Sequence, residues 1–449
     1  MQQAEQKRMR RLIAPFLRFV QLESASSMVL LIASIVALGM ANSWLAPWYE
    51  ALLRFPVGGR VGDLVFSWDL REGINDVLMA VFFLLMGLEI KRELVSGELA
   101  SLRRALLPVL AAFGGVLTPA LIYWGWNRGT ANAHGWGIPI ATDIAFSLAA
   151  LSLFGRRIPI GLKVFLVTLA IVDDIAGVLV IATVYTRQIH YGYLLAAMLL
   201  FVLCLLMNRA GVMRLSVYLV TGGVLWWTLY ASGVHATLAG VLLAFAIPAQ
   251  EVLPAQVLLE RGRRRLDPFA ASVETIGPAR DEGHSHRHRL RAGIERYEPP
   301  LNRLERVLHP WVSFGIVPLF AFANAGIPLQ QLKGGIGRDR IFFGIFLGLI
   351  FGKTIGITLF SWLAVRLGVA ELPHGVRWRQ LHAAAWLGGI GFTVSMFIAG
   401  LAFETEEQYA LARLAILAAS TIAALIGICL LAIFRGTHAP GSVEERSPI

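Results

Sequence analysis

From Ser27 to Phe434 the chain alternates between long, unbroken apolar runs and short polar connections. Each run holds about 17 to 25 residues, the length a helix needs to cross roughly 30 Å of hydrocarbon. About twelve such runs are present. They fall near 25–43, 72–90, 105–126, 136–155, 160–185, 191–208, 213–230, 233–248, 309–328, 341–367, 379–403 and 408–434. Within them apolar residues follow one another rather than alternate, and lipid offers no partner for a bare peptide group. The runs therefore predict helices and exclude barrel strands. The expected fold class is an all-α membrane protein of about twelve transmembrane helices.

Two of these spans carry breaks. The fourth contains Gly137–Ile138–Pro139–Ile140–Ala141–Thr142–Asp143, where Pro139 removes a backbone donor and disfavours helix at Ile138. The eleventh contains Gly388–Gly389–Ile390–Gly391–Phe392–Thr393, glycine-rich at mid-span. Interrupted helices at corresponding positions of two halves point to a transporter's substrate site. Spans three to five and ten to twelve start on opposite sides of the membrane, so the two three-helix units are expected to be inverted repeats.

The polar segments set the expected domain organisation. Residues 1–24 form an N-terminal segment, 25–248 hold spans one to eight, 249–308 a basic loop, 309–434 spans nine to twelve, and 435–449 a tail. Lys and Arg gather at Lys7 to Arg18, at Lys91, Arg92, Arg103 and Arg104, and at Arg156, Arg157 and Lys163. These are alternate connections, and the intervening ones are poor in positive charge. Both termini are therefore expected on the cytoplasmic side, with an even number of crossings. A basic stretch ahead of Met28–Met40 resembles a secretory signal, but removing the first span would spoil that alternation.

The loop from Glu251 to Pro300 includes Arg261–Gly262–Arg263–Arg264–Arg265 and Gly283–His284–Ser285–His286–Arg287–His288. Its composition suits a solvated linker, and its histidines are able to titrate or to chelate a metal. Val61 to Leu70 alternates like a strand, so a short extracellular hairpin is expected. A homodimer contact is one use for it and loop packing another.

Composition agrees with the pattern: of 449 residues, 56% are apolar and 15% charged, which places the chain in the lipid bilayer. The net charge of +11 would suggest nucleic acid in a soluble protein. Here the charges sit at span ends, so no nucleic-acid partner is expected. Cys204 and Cys429 lie mid-helix, where burial as small apolar residues is the expectation.

Against this background each charge inside a span needs a reason, because one at mid-bilayer costs about 2.5–3.5 kcal/mol. The fifth span places Asp173 and Asp174 side by side, the fourth adds Asp143 and the tenth adds Lys353, read as the only intramembrane cation available. Neighbours on a helix point about 100° apart, so the two carboxylates have different jobs. One ligates an ion at the broken helix while the other pairs with Lys353. Burial and like charge disfavour ionising both, which makes a proton the competitor of a cation for the same oxygens. Hard monovalent cations, sodium or lithium, call for oxygen ligands, which Asp173, Asp174 and Thr142 supply. If both carboxylates lose protons to bind one such ion, exchange moves net charge. Broken helices leave partial charges at their ends, which Asp143 and Lys353 are placed to balance.

At these residues the sequence closely resembles the NhaA family of bacterial sodium/proton antiporters, whose inverted repeats are a known example of this architecture. The resemblance runs through Ile74–Asn75–Asp76, Phe82 to Glu89, Ala141 to Phe146, Asp173–Asp174, Ser232 to Gly240, His309–Pro310–Trp311, Phe320 to Gly326, Gly352–Lys353 and Gly389 to Thr393. It implies a multi-pass protein of the bacterial inner membrane, not an enzyme and without a cofactor, that exports sodium or lithium in exchange for protons by alternating access. It further implies that Asp174 and Asp173 bind the cation and protons beside Thr142, that Lys353 pairs with Asp173, and that Asp143 balances helix ends. The family shuts down at acidic pH, and its sensing positions resemble Glu89, Arg92, Glu305 and His235. The long loop before Glu305 departs from the family's short connection.

Other functions fit less well. Another cation-coupled secondary transporter on the same scaffold is the runner-up. An anion carrier would place basic residues at the breaks. An intramembrane aspartyl enzyme needs carboxylates that face each other, which neighbours on one helix do not. A channel would need subunits around a pore.

Overall fold

The computed structural model describes residues 25–61, 64–186, 189–249, 299–329 and 339–434. The first tail, the last tail and residues 250–298 of the expected loop, with its histidines, lie outside the described residues.

Every one of the expected spans holds a helix, and the chain is a multi-pass membrane protein. In chain order these are α1 (Ala25–Ala41), α2 (Ala46–Leu53), α3 (Leu70–Ser96), α4 (Leu102–Asn127), a 3₁₀ helix (Ala131–Ile140) followed by α5 (Ile144–Ser152), and α6 (Ile160–Val184). Then come α7 (Tyr191–Arg209), α8 (Leu215–Ser232), α9 (Leu238–Ala246), α10 (Pro300–Ala325), α11 (Arg340–Arg366), α12 (Trp378–Leu387), α13 (Phe392–Ala402) and α14 (Glu406–Ile433). Among the described residues eight helices are long and apolar enough to cross a membrane, or up to 10 if each of two bent pairs counts as one span. The pair α1 and α2 turns through 116°, whereas α12 and α13 bend by only 45°.

The expected hairpin is present as two antiparallel strands, Pro56–Val61 and Leu64–Asp69, paired from Pro56 opposite Asp69 to Val61 opposite Leu64. Asp69 then caps α3 in a reciprocal pair with Glu72. Two expectations need correction. Residues 300–308, assigned to the basic loop, are helical: α10 begins at Pro300, nine residues before the predicted span, with Leu301, Leu304 and Glu305 buried. Proline tolerates the first turn because its missing donor has no partner there. Cys204 is buried as expected, but Cys429 is exposed, on a surface whose apolar character suits lipid.

The helices group into two compact units. The first comprises Met1–Met79, Gly97–Arg187 and Val312–Ile449. Its centre is the crossing of α4 and α11, where small residues let backbones touch. A side-chain carbon on Gly356 would lie 2.1 Å from Gly114 O, and one on Gly352 would lie 2.6 Å from Pro119 Cα. The second unit comprises Ala80–Ser96 and Gln188–Trp311. It packs Leu84 and Leu88 of α3 against Tyr218, Leu243, Ile247, Leu301 and Leu304.

Candidate ion site

Both breaks form where glycine and proline predict them, and they meet. The 3₁₀ helix runs through Pro139 to Ile140, then Ala141 and Asp143 adopt extended backbone, with ψ of 150° and 105°. The helix therefore ends one residue beyond the proline. In the eleventh span, Gly388 to Gly391 separate α12 from α13. The backbone N–H of Asp143 donates to Ile390 O at 2.6 Å, tying one break to the other.

Asp143 caps both second halves. Its Oδ1 accepts the amide of Phe146 in α5 at 3.1 Å. Its Oδ2 accepts the amide and the hydroxyl of Thr393 in α13, at 3.2 and 2.6 Å. One buried carboxylate thus faces the positive ends of two helices, as the dipole argument requires. The contact gives Thr393 a role beyond its place beside the eleventh-span break.

Asp173 and Asp174 sit mid-way along α6, both buried. Lys353 follows a π-helical turn, Gly348–Gly352, on α11. That turn packs against the fourth span, since a carbon on Gly348 would lie 2.9 Å from Pro139 Cβ. The Lys353 ammonium pairs with Asp173 Oδ2, and both side chains are 0% exposed. Lys353 also lies in the field of Asp174, more weakly. Thr142 Oγ1 is 2.6 Å from the same Asp173 oxygen and 2.8 Å from Gly388 O. A hydroxyl has one proton, so it serves one of these acceptors at a time. Asp173 Oδ1 is buried with no hydrogen-bond partner among the described residues. An orphaned carboxylate oxygen of this kind suits a bare monovalent cation better than a hydrogen-bond donor already spent elsewhere.

Asp173, Thr142, Lys353 and the Asp143 crossing thus belong to one compact unit, with Asp174 adjacent on α6. The positions that the resemblance implies for pH sensing lie in the other. There Arg92 of α3 pairs with Glu305 of α10, and Glu89 stands one turn before Arg92. Neighbouring Lys91 donates to Phe245 O, at 2.7 Å, and to Ile247 O. His235 precedes α9, its Nδ1 2.7 Å from Thr237 Oγ1. Phe245 and Ile247, whose carbonyls hold Lys91, lie at the far end of α9 from His235.

A sequence profile described as Na+/H+ antiporter 1 matches residues 17–431. The chain belongs to this family. The antiporter is 46% identical to the Na(+)/H(+) antiporter NhaA of Oleidesulfovibrio alaskensis over 94% of both chains. It is 45% identical to that of Koribacter versatilis over 94% of its own length and 91% of the relative's. With Na(+)/H(+) antiporter NhaA of Helicobacter pylori it shares 41% identity over 91% and 93%. It is a sodium/proton antiporter, a transporter and not an enzyme.

One correction concerns buried cations. Lys353 is not alone: Arg413 of α14 is wholly buried, and Lys163 of α6 is buried too. Arg413 donates to Glu406 at 2.7 Å and to Asn324 O at 3.2 Å, and its guanidinium lies 4.3 Å over the Tyr409 ring. Asn324 in turn donates to Asn75 Oδ1 at 2.9 Å. Buried charges paired this way serve packing as readily as transport.

Proposed function

We propose that this antiporter exports sodium or lithium in electrogenic exchange for protons, under control of pH, with Asp174, Asp173 and Thr142 as the ion site. The observation that carries this reading is the convergence of Thr142 and Lys353 on a single oxygen of Asp173 beside the crossing of two broken helices. In one state Asp173 is held by Lys353. In the other a cation takes oxygens of Asp174, Asp173 and Thr142, and Lys353 releases its partner. Asp173 and Asp174 share a buried helix, and protons and the cation exclude one another from their oxygens. Alternating exposure of such a site to the two faces converts exclusion into exchange. Displacing two protons with one monovalent cation moves one net charge per cycle. No resident cofactor is needed; the transported ions suffice.

Asp143 balances helix ends. Glu89, Arg92, Glu305 and His235 are the pH-responsive positions, supported by the Arg92–Glu305 pair and the neighbouring Glu89. The domain plan places residues 1–24, the loop after Pro248 and the tail after Phe434 on the cytoplasmic face of a bacterial inner membrane, as the alternation of Lys and Arg supports. The hairpin supports a homodimer, since a two-stranded sheet leaves strand edges open.

Everted vesicles test the reading. Sodium or lithium, but not potassium, should dissipate an imposed proton gradient, and Asp174→Asn should abolish the response. Full exchange in Asp174→Asn would overturn the site assignment. A strictly electroneutral response on a supported membrane would overturn the two-proton exchange.

A further inference from the structure

The two broken spans also trade hydrogen bonds that the ion ligands do not account for. Ser147, four residues past Asp143 on α5, donates to the carbonyl of Leu387, the last residue of α12, at 2.8 Å. Ser395, four residues past Gly391 on α13, donates to the carbonyl of Ile138, near the end of the 3₁₀ helix, at 2.9 Å. Both serines are wholly buried. In each case the first turn after one break reaches the carbonyl end before the other break. The exchange is reciprocal.

Such carbonyls form the negative ends of the half-helices. Lys353 is engaged by Asp173, and the described side-chain donors at these ends are hydroxyls: Ser147 and Thr142 on Leu387 and Gly388, Ser395 on Ile138. Leu387 O also accepts the amide of Ile390 at 3.1 Å. Removing the Ser147 hydroxyl therefore leaves that carbonyl with a partner and deletes only the tie between spans.

We propose that Ser147 and Ser395 are positioning residues of the ion site, two reciprocal clamps that bind the entry half of each broken span to the exit half of the other. The proposal rests on the ion-site reading above. Neither serine ligates the cation. Ser147 acts through Leu387, whose neighbour Gly388 is an acceptor for Thr142. Ser395 acts through Ile138, four residues before Thr142 on the same strand of backbone. Together they hold Thr142 and Asp143 in register with Gly388 to Thr393.

The test is a sodium titration of exchange in everted vesicles for Ser147→Ala, Ser395→Ala and the double variant, normalised to the amount of folded antiporter. Each single change should raise the half-saturating sodium concentration about two- to tenfold, the double change more, with the maximal rate moved less. Ser→Cys at each position conserves size but weakens the donor, and it should lose sodium affinity as alanine does. Ser→Thr keeps the hydroxyl and should recover affinity. An unchanged half-saturating sodium concentration in both the Ala and Cys variants would overturn the proposal, as would a fall in folded protein alone. Should the double variant fail to insert, the single variants decide. Failure of the underlying ion-site reading is distinguishable, because it would appear as undiminished exchange in Asp174→Asn.

Discussion

Oδ2 of Asp143, on one broken span, accepts both the amide and the hydroxyl of Thr393 on the other. Since Oδ1 of the same carboxylate caps Phe146, a single acidic side chain closes two helix ends. Asp143→Asn would turn one acceptor into a donor aimed at Thr393. A buried mismatch of this kind costs about 1–3 kcal/mol. The expected outcome is lower thermal stability in detergent and weaker sodium affinity, with Thr393→Val reproducing part of both. Unaltered sodium affinity and stability in Asp143→Asn would contradict the double cap.

Lys353→Met should cost stability out of proportion to its size. It strands Asp173 in a site with 0% exposure, and breaking a buried ion pair from one side costs about 3–5 kcal/mol. Adding Asp173→Asn should return much of the lost melting temperature without restoring exchange. A double variant no more stable than Lys353→Met would show that the two residues are not coupled. Thermal unfolding of the purified variants measures this.

Gly356→Val should prevent assembly of the first unit. Its first side-chain carbon would meet Gly114 O at 2.1 Å, a backbone atom with no room to retreat. Gly125→Ala, on the same helix as Gly114 but with nothing within 4 Å, should be tolerated. The yield of monodisperse protein after extraction compares them, and equal yields would argue against close packing of α4 on α11.

Glu305→Gln should shift the pH profile of exchange toward higher pH. The neutral amide mimics the protonated acid, so the Arg92–Glu305 ion pair is lost at every pH, and under the proposed pH control the acid-inhibited condition is extended upward. Arg92→Gln should abolish the effect of a following Glu305→Gln if the two act as a pair. A profile identical to that of the parent in Glu305→Gln would remove this ion pair from the pH response.

The positions of the spans were legible because lipid demands length and continuity of apolar residues, and both can be counted. The break at Gly388 to Gly391 was legible too, since three glycines in four residues destabilise a helix at mid-span. Ser147 and Ser395 were not. Their partners lie 240 and 257 positions away, and an isolated serine in an apolar run has a local explanation, a bond to its own helix. The early start of α10 was hidden for a different reason. Leu301 and Leu304 pack inward while Arg303 and Arg306 are exposed, so the average polarity of that stretch reads as a loop. Arg413 was not legible as a buried cation because its partners Glu406, Tyr409 and Asn324 form a cluster apart from the breaks.

Thr142 owns one hydroxyl hydrogen and has two acceptors, a carboxylate oxygen on α6 and a backbone carbonyl at the other break. Whatever occupies Asp173 decides where that hydrogen points. On the proposed ion site its position is therefore a one-bit record of occupancy, written by the cargo and read by the backbone of a different helix. Vibrational spectroscopy with a ¹³C label at Gly388 would observe that record directly, as a carbonyl stretch that changes when sodium is added.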